Sequence, residues 1–316
     1  MKKNFALIGV AGYIAERHLK AIHETHNNLV AALDIYDSVG IIDSYFPDTD
    51  FFVEFERFDR HIDKLRREGK QVDYISICSP NYLHDSHARF AIRSGAEAIC
   101  EKPLVLNPWN IDGLQALEQD TGRKINTILQ LRLHPTIIDL KDKVSRLPDN
   151  HKHDVDLTYI TSRGKWYLQS WKGDENKSGG IATNIGVHFY DMLHFVFGNV
   201  LENIVHYYSA TRAGGFLEYE KARVRWFLSI DQSDLPVDIR ESGERTFRSI
   251  TCDGEEIEFS GGFGALHTRS YEEILKGNGF GLEENRVAIE TVADIRHAKP
   301  IGIVNEYHPF LKGWST

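Results

Sequence analysis

The sequence predicts an α/β protein: an N-terminal doubly wound parallel sheet, then an α/β domain built on an open, mostly antiparallel sheet. Three observations carry this reading. Over residues 1–125 short apolar runs alternate with helical patterns, which implies βαβ units and a parallel sheet. A glycine turn, Gly9-Val10-Ala11-Gly12, separates the first apolar run from the first helical pattern. After a polar break at 148–153 the chain is richer in β runs, and from Ile204 to Phe259 these follow one another without helices between them, which is the habit of antiparallel sheets.

The elements follow in order. Asn4 to Val10 is a short apolar strand ending in the glycine turn, and Tyr13 to Thr25 reads as a helix starting from it. Leu29 to Leu33 is a second strand, closed by Asp34. Phe55 to Arg67 is helical, Val72 to Cys78 is a strand, and Leu83 to Ser94 is a helix stopped by Gly95. Ala96 to Cys100 leads into Glu101-Lys102-Pro103. Pro108 to Asp120 carries proline in its first turn and Gly122 past its end, the pairing that brackets helices. Ile125 to Leu131 reads as a further strand and Pro135 to Leu147 as a helix. After a polar break at 148–153, strands are expected over Val155–Thr161, Ile204–Ala210, Ala222–Ile230, Arg245–Thr251 and Glu256–Phe259. A helix is expected over Ile181–Phe197, and two more, His267–Lys276 and Leu282–His297, close the chain.

At 316 residues the chain is long enough for two domains with a sizeable core. A net charge of -9 argues against general binding to nucleic acid or to an acidic membrane. No apolar run reaches the length of a membrane span. The N-terminus leads straight into a strand with no signal-peptide pattern, and three cysteines (Cys78, Cys100, Cys252) form no C-x-x-C. A reduced, cytoplasmic protein is expected.

The glycine turn is Gly9-x-x-Gly12-x-x-Ala15, one residue longer between its first two glycines than G-x-G-x-x-G. Glycine there lets a backbone approach a pyrophosphate, and the helix N-terminus favours its charge. Asp34 lies about twenty residues on, where an acidic residue binds the ribose 2′-hydroxyl of NAD and repels the 2′-phosphate of NADP. Cys78-Ser79-Pro80-Asn81-x-x-His84 closes another strand on the same edge and reads equally as a capped turn or as cofactor lining. A lone Glu101-Lys102-Pro103 would read as a surface pair before a turn proline. With a dinucleotide turn upstream and Gly179-Gly180…Asn184-Ile185-Gly186-Val187-His188…Asp191 downstream, Lys102 reads as a proton-transfer group in the cofactor crevice. Residues four apart share a helix face, so Asn184 and His188 are expected to present their side chains together. Arg163, Lys165, Lys172 and Lys177 cluster with Trp166, Tyr167 and Trp171, with Asp174 and Glu175 offsetting part of the charge; the set reads equally as a site for a phosphate or carboxylate on a substrate or as a solvated loop. His18, His23, His26, His151 and His153 read as surface residues, His194 as a core histidine, and no set has metal-ligand spacing.

The glycine turn, C-S-P-N-Y-L-H, E-K-P and G-G-x-x-x-N-x-G-x-H-x-x-D occur in this order in the glucose-fructose oxidoreductase, inositol dehydrogenase and MocA superfamily, which the whole chain resembles. More narrowly, G-V-A-G-Y-I-A, C-S-P-N-Y-L-H-D, L-Q-L-R-L-H-P and R-G-K-W-Y…S-W-K-G-D resemble bacterial UDP-N-acetyl-2-amino-2-deoxy-D-glucuronate dehydrogenases. Those enzymes oxidise the sugar 3-hydroxyl to a ketone with NAD, in the synthesis of lipopolysaccharide O-antigen sugars. The resemblance implies an NAD-binding Rossmann domain over 1–125 and a substrate-binding, oligomerisation domain over 126–316, commonly in a homotetramer.

It also implies roles. Lys102 and His188 match the catalytic pair, and which of them takes the proton stays open. Gly9, Ala11, Gly12, Tyr13, Ile14 and Asp34 match cofactor positions, as do Ser79, Asn81, His84, Glu101 and Gln130. Arg163, Tyr167, Lys172, Ser178 and Gly179 match the segment lining the sugar site, together with Lys102, Asn184 and His188. Asn184 stands where many polyol-oxidising relatives have aspartate. The expected substrate is a UDP-sugar uronic acid. Some of the resembled enzymes keep their cofactor and reoxidise it with 2-oxoglutarate, whereas others release NADH. Two other readings remain: a dehydrogenase of another sugar or polyol, and a non-catalytic NAD-binding regulator.

Overall fold

The computed structural model describes residues 2–148, 150–258 and 263–313. The chain divides into two compact units. The first runs to Gln130 and takes in a later segment, Phe263–Arg286; the second comprises the rest.

The first unit is built on six parallel strands: β1 (Asn4–Ile8), β2 (Asn28–Leu33), β3 (Asp50–Phe52), β4 (Tyr74–Ile77), β5 (Glu97–Cys100) and β6 (Ile125–Thr127). Their order is β3-β2-β1-β4-β5-β6. Strands buried on both faces read as near-continuous apolar runs; β1 is apolar from Phe5 to Ile8, and β4 is buried throughout with Ser76 its one polar side chain. Helices α1 (Ala15–Glu24), α2 (Phe55–Arg67), α3 (His84–Arg93) and α4 (Pro108–Thr121) alternate with the strands. α4 starts on its proline and stops at Gly122, which takes φ 66°, the left-handed cap that glycine supplies without strain. The strand order reverses direction between β1 and β4, and ligands of open α/β sheets bind beyond the C-terminal strand ends at such a point. The glycine turn after β1 and the Cys78-Ser79-Pro80 turn after β4 occupy those ends.

The later segment completes this unit. Its helix Leu266–Leu275 sends Tyr271 and Ile274 into a core with Phe5, Leu7, Leu19 and Tyr74. The Thr127 N–H donates to Phe280 O (2.8 Å), and Asn285 Nδ2 donates to Thr127 Oγ1 (3.0 Å), along the β6 edge. β6 is accordingly shorter than the expected Ile125–Leu131; a 3-10 turn, Gln130–Leu133, follows it.

The second unit holds β7 (His153–Thr161), β8 (Val200–Tyr208), β9 (Arg212–Tyr219), β10 (Ala222–Ser229), β11 (Thr246–Cys252) and β12 (Glu255–Glu256), in the order β12-β11-β7-β10-β9-β8. All neighbours pair antiparallel except β7 and β10, which run parallel. Part of the strand expected over Glu256–Phe259 lies outside the described residues. Helix α5 (Pro135–Ser145) and the helix Val187–Phe197 belong to this unit. No helix among the described residues is long and apolar enough to cross a membrane.

Candidate active site

In the first unit the glycine turn is shaped by close approach. Gly9 takes φ 88°, and a Cβ there would lie 2.6 Å from the Cys78 carbonyl carbon and from Ser79 N. Only glycine fits at that point. The Gly9 N–H donates to Leu33 O (2.8 Å), the Gly12 N–H to Gly9 O (3.1 Å) and the Ala15 N–H to Gly12 O (3.0 Å). The Ala11 N–H donates to Asp34 Oδ2 (2.9 Å), and the Tyr36 N–H to Asp34 Oδ1 (3.0 Å). Asp34 thereby ties the glycine turn to the segment that follows β2. The N–H groups of Tyr13 and Ile14 carry no hydrogen bond among the described residues, so the turn presents two donors at the start of α1. That is an anion-binding end, and it fits the pyrophosphate of a dinucleotide. Gln130 Oε1 is a second open group, a buried amide oxygen with no hydrogen-bond partner among the described residues.

The other expected cofactor positions fall into two classes. Ser79 Oγ lies 2.9 Å from His87 Nδ1, and burial, with the charge of His84 second, pushes the His87 imidazole down to about 4. Asn81 is buried in the 3-10 turn that precedes α3. His84 is buried, with Nδ1 2.7 Å from Pro103 O and Nε2 2.8 Å from Ser79 O. Glu101 is also buried and faces the protein: its Oε1 takes hydrogen bonds from His18 Nε2 (2.9 Å) and His267 Nε2 (3.0 Å). Burial alone would raise this carboxyl, but the hydrogen bonds and charge of His18 and His267 outweigh it and hold the group well below the usual carboxylate range. Lys102 follows at the strand end, half-buried. The thiols of Cys78 and Cys100 are buried and pushed well up by burial, as apolar core groups.

His18 and His153, expected at the surface, are instead buried. His18 lies on the face of α1 that packs against the helix Leu266–Leu275, a neighbour 253 residues away at Tyr271. His153 Nδ1 pairs with Asp253 Oδ2 (2.7 Å), from the turn between β11 and β12.

In the second unit the expected site helix departs from regular geometry. Ala182–Gly186 is π-helical, and the α-helix proper is Val187–Phe197. A π turn closes on i+5, and Asn184 lies within it, four residues before His188 in the first turn of the α-helix. Asn184 Nδ2 donates to the Tyr167 hydroxyl. The His188 ring lies 4.1 Å from that of Phe189, tilted by 41°, and edge-on to Tyr159 at 6.0 Å. Burial pushes the Tyr167 hydroxyl up, against the opposing effects of Asn184 and Arg163.

Gly179 takes φ 81°, and a Cβ there would come within 2.7 Å of Thr183. Ser178 is buried; its hydroxyl donates to Asp174 O (3.0 Å) and accepts the Gly180 N–H (3.1 Å). Lys172 lies over the ring of Trp171 at 4.2 Å. Arg163 lines a cavity of about 140 Å³ with Ser162, Trp166, Arg245 and Thr246. Arg245 was not singled out from sequence. It arrives because the Ser162 N–H donates to Arg245 O (2.8 Å), extending the β7–β11 ladder.

The acidic end of the downstream motif is also explained. Asp191 is buried and held by Arg132, with Nη2 2.7 Å from Oδ1 and Nε 3.1 Å from each oxygen. Sequence reasoning quoted both residues inside motifs but did not pair them.

Comparison with known proteins agrees with the two-sheet α/β fold. The NAD-binding Rossmann-fold model of the GFO/IDH/MocA oxidoreductase family matches residues 3–128. The model of that family's C-terminal α/β domain matches residues 151–235. The chain is similar to the WlbA (WbpB) dehydrogenase of Thermus thermophilus in its complex with NAD and α-ketoglutarate: 52% identity, 98% of this chain and 99% of that one covered, TM-score 0.94. It is equally similar to the same dehydrogenase in complex with NAD and UDP-GlcNAcA, at 51% identity with the same coverage and TM-score. Among curated relatives, D-glucoside 3-dehydrogenase of Escherichia coli (strain K12) is 28% identical over 131 residues, 40% of this chain. The match spans only 36% of that relative's length.

Proposed function

We propose, from the premise that this chain belongs to the GFO/IDH/MocA oxidoreductase family, that it oxidises the sugar 3-hydroxyl of UDP-N-acetyl-2-amino-2-deoxy-D-glucuronate to the 3-keto sugar with NAD. The observation that carries this is identity at half of all positions, over nearly the full chain, with a dehydrogenase solved with NAD and UDP-GlcNAcA. The place of this product is lipopolysaccharide O-antigen sugar synthesis, in the cytoplasm, and the working form is a homotetramer.

NAD, when bound, supplies the hydride acceptor at its nicotinamide. The first unit's residues hold it: the Tyr13 and Ile14 N–H groups take the pyrophosphate, Asp34 the ribose hydroxyls, and Gln130 Oε1 accepts from a cofactor N–H. Ser79, Asn81, His84 and Glu101 belong to the walls of that site. In the second unit Arg163, Tyr167, Lys172, Ser178, Gly179 and Asn184 take the sugar nucleotide. The C3 hydrogen leaves with its electron pair, and the hydroxyl proton goes to His188. Lys102 hydrogen-bonds the same oxygen and stabilises the charge that develops there.

2-Oxoglutarate is the acceptor that returns the cofactor to NAD, becoming 2-hydroxyglutarate as it gains hydride and proton. The neighbour's complex with α-ketoglutarate supports this step. The test is to mix protein, UDP-sugar uronic acid and 2-oxoglutarate with no added NAD. Multiple turnovers with 2-hydroxyglutarate formed are expected. Turnover of inositol or glucose but of no UDP-sugar would reject the substrate assignment; a need for stoichiometric free NAD would reject the recycling.

A further inference from the structure

We propose that His18, Glu101 and His267 form a buried clamp that positions Lys102 relative to the glycine turn, and that Glu101 and His267 are positioning residues for the reaction. This rests on the reading of Lys102 as a catalytic residue.

Glu101 is where the sheet ends. Its N–H still donates to Ile77 O (3.0 Å), continuing the β4–β5 ladder one residue beyond β5. Lys102 is the first residue outside that ladder, and its N–H donates to Glu101 Oε2 (3.2 Å). The carboxylate thus bites back on the next peptide and fixes where the Lys102 side chain starts.

The other carboxylate oxygen fixes the carboxylate. An ionised carboxylate only accepts, so both His18 and His267 carry their proton on Nε2. His18 Nδ1 lies 2.7 Å from the Tyr271 hydroxyl. That hydroxyl lies 2.6 Å from Ser76 Oγ. Ser76, Tyr271, His18 and Glu101 thus form one hydrogen-bonded chain, and His267 meets the same Glu101 oxygen as His18. Every member of this chain is buried. On its far side Lys102 is held through Pro103, whose carbonyl oxygen lies 2.7 Å from His84 Nδ1.

Stability alone does not call for this arrangement. A carboxylate taken out of water is costly, and apolar side chains filling the same volume would do as well or better. What the carboxylate adds is a rigid acceptor for the Lys102 N–H. What His18 adds is a tie to α1, the helix that begins at the glycine turn. The clamp therefore couples the position of the lysine to the element that receives the pyrophosphate.

The test uses full-length protein in the 2-oxoglutarate-coupled assay, with thermal midpoints measured alongside. Glu101→Gln sets an amide N–H₂ against either the Lys102 N–H or the two imidazole N–H groups. Its kcat should fall about tenfold or more, with KM for the UDP-sugar within about threefold, the pattern of a misplaced reacting group. His267→Leu should do the same, and His267→Gln, whose amide can donate to Glu101, should restore kcat to within about threefold of wild type. Wild-type kcat in both Glu101→Gln and His267→Leu would overturn the clamp. So would a stable His267→Gln protein no more active than His267→Leu. Lys102→Met separates the two readings. If it keeps wild-type turnover, Lys102 is not catalytic and the clamp has nothing to position. If it is inactive while the Glu101 and His267 variants run at wild-type kcat, the clamp alone fails.

Discussion

Each unit buries a carboxylate, and the two are held by different chemistry. In the second unit Asp191 meets the Arg132 guanidinium, a planar cation whose fork matches a carboxylate. In the first unit Glu101 meets two imidazoles, which donate without a permanent charge. The difference separates anchoring from tuning. An arginine pair stays charged across the useful pH range and ties the helix Val187–Phe197 to the turn before α5. A histidine pair holds its carboxylate only while both rings keep their protons on the right nitrogen.

The largest expected effect is in the anchored pair. Asp191→Ala leaves a buried guanidinium uncompensated and should lower unfolding free energy by about 3–5 kcal/mol in urea denaturation. Pairing it with Arg132→Met should recover part of that loss, because the two residues act as one unit. A loss under about 1 kcal/mol for Asp191→Ala would mean that the pair does not anchor the helix.

Next comes the residue that the histidine-held carboxylate precedes. Lys102→Met should cut kcat by about a hundredfold or more, about 2.7 kcal/mol in barrier height, while leaving the urea midpoint near wild type. His188→Asn should behave similarly. If only one of the two changes alters the pH–rate profile, that residue is the base.

A smaller effect belongs to Asp34. A carboxylate fixed by the Ala11 and Tyr36 N–H groups penalises a 2′-phosphate. Asp34→Ser should narrow the preference for NAD over NADP by about tenfold, roughly 1.4 kcal/mol. Equal use of the two cofactors by the unmodified protein would remove Asp34 from that role.

The smallest effect is the pH dependence that distinguishes the two carboxylates. Burial pushes the His267 imidazole down from 6.5, although Glu101 pulls it up, and Glu101 itself is held well below 4.5. Both folded values lie below the unfolded ones. Their contribution to stability is therefore present above pH 6.5 for His267 and above pH 4.5 for Glu101, and is lost as pH falls through the folded values. His87 and His308, each pushed down to about 4 by burial, act in the same direction. The urea midpoint should decline as pH drops below 6.5, and His267→Gln, which cannot titrate, should show a shallower decline. An equally steep decline in that variant would exclude His267 as a contributor.

The parts legible in sequence were those specified within a few residues. The glycine turn, Asp34 and Glu101-Lys102-Pro103 each sit where an apolar run stops, and an apolar run long enough to be buried on both faces marks a parallel strand whatever lies beside it. α4 was legible for the same reason, since Pro108 and Gly122 impose its limits through their own backbone preferences. β9 escaped notice because Gly214 and Gly215 dilute its β pattern. The reason for Gly215 is non-local: a Cβ there would lie 2.8 Å from the Trp226 ring.

Tertiary structure alone decided what required partners far apart in the chain. The burial of His18 depends on Tyr271, 253 residues on, and the clamp on Glu101 depends on His267, 166 residues on. The Arg132–Asp191 pair spans 59 residues. The membership of Phe263–Arg286 in the first unit has no local mark at all. The π turn at Ala182–Gly186 is of the same kind: its residues would also suit an α-helix, and the departure appears only with the surrounding structure in place, where Asn184 meets Tyr167. Backbone preference and hydrophobic periodicity act over a turn or a strand. Hydrogen-bond partners, charge pairing and burial are set by whichever residues the folded chain brings together, and no short pattern names them.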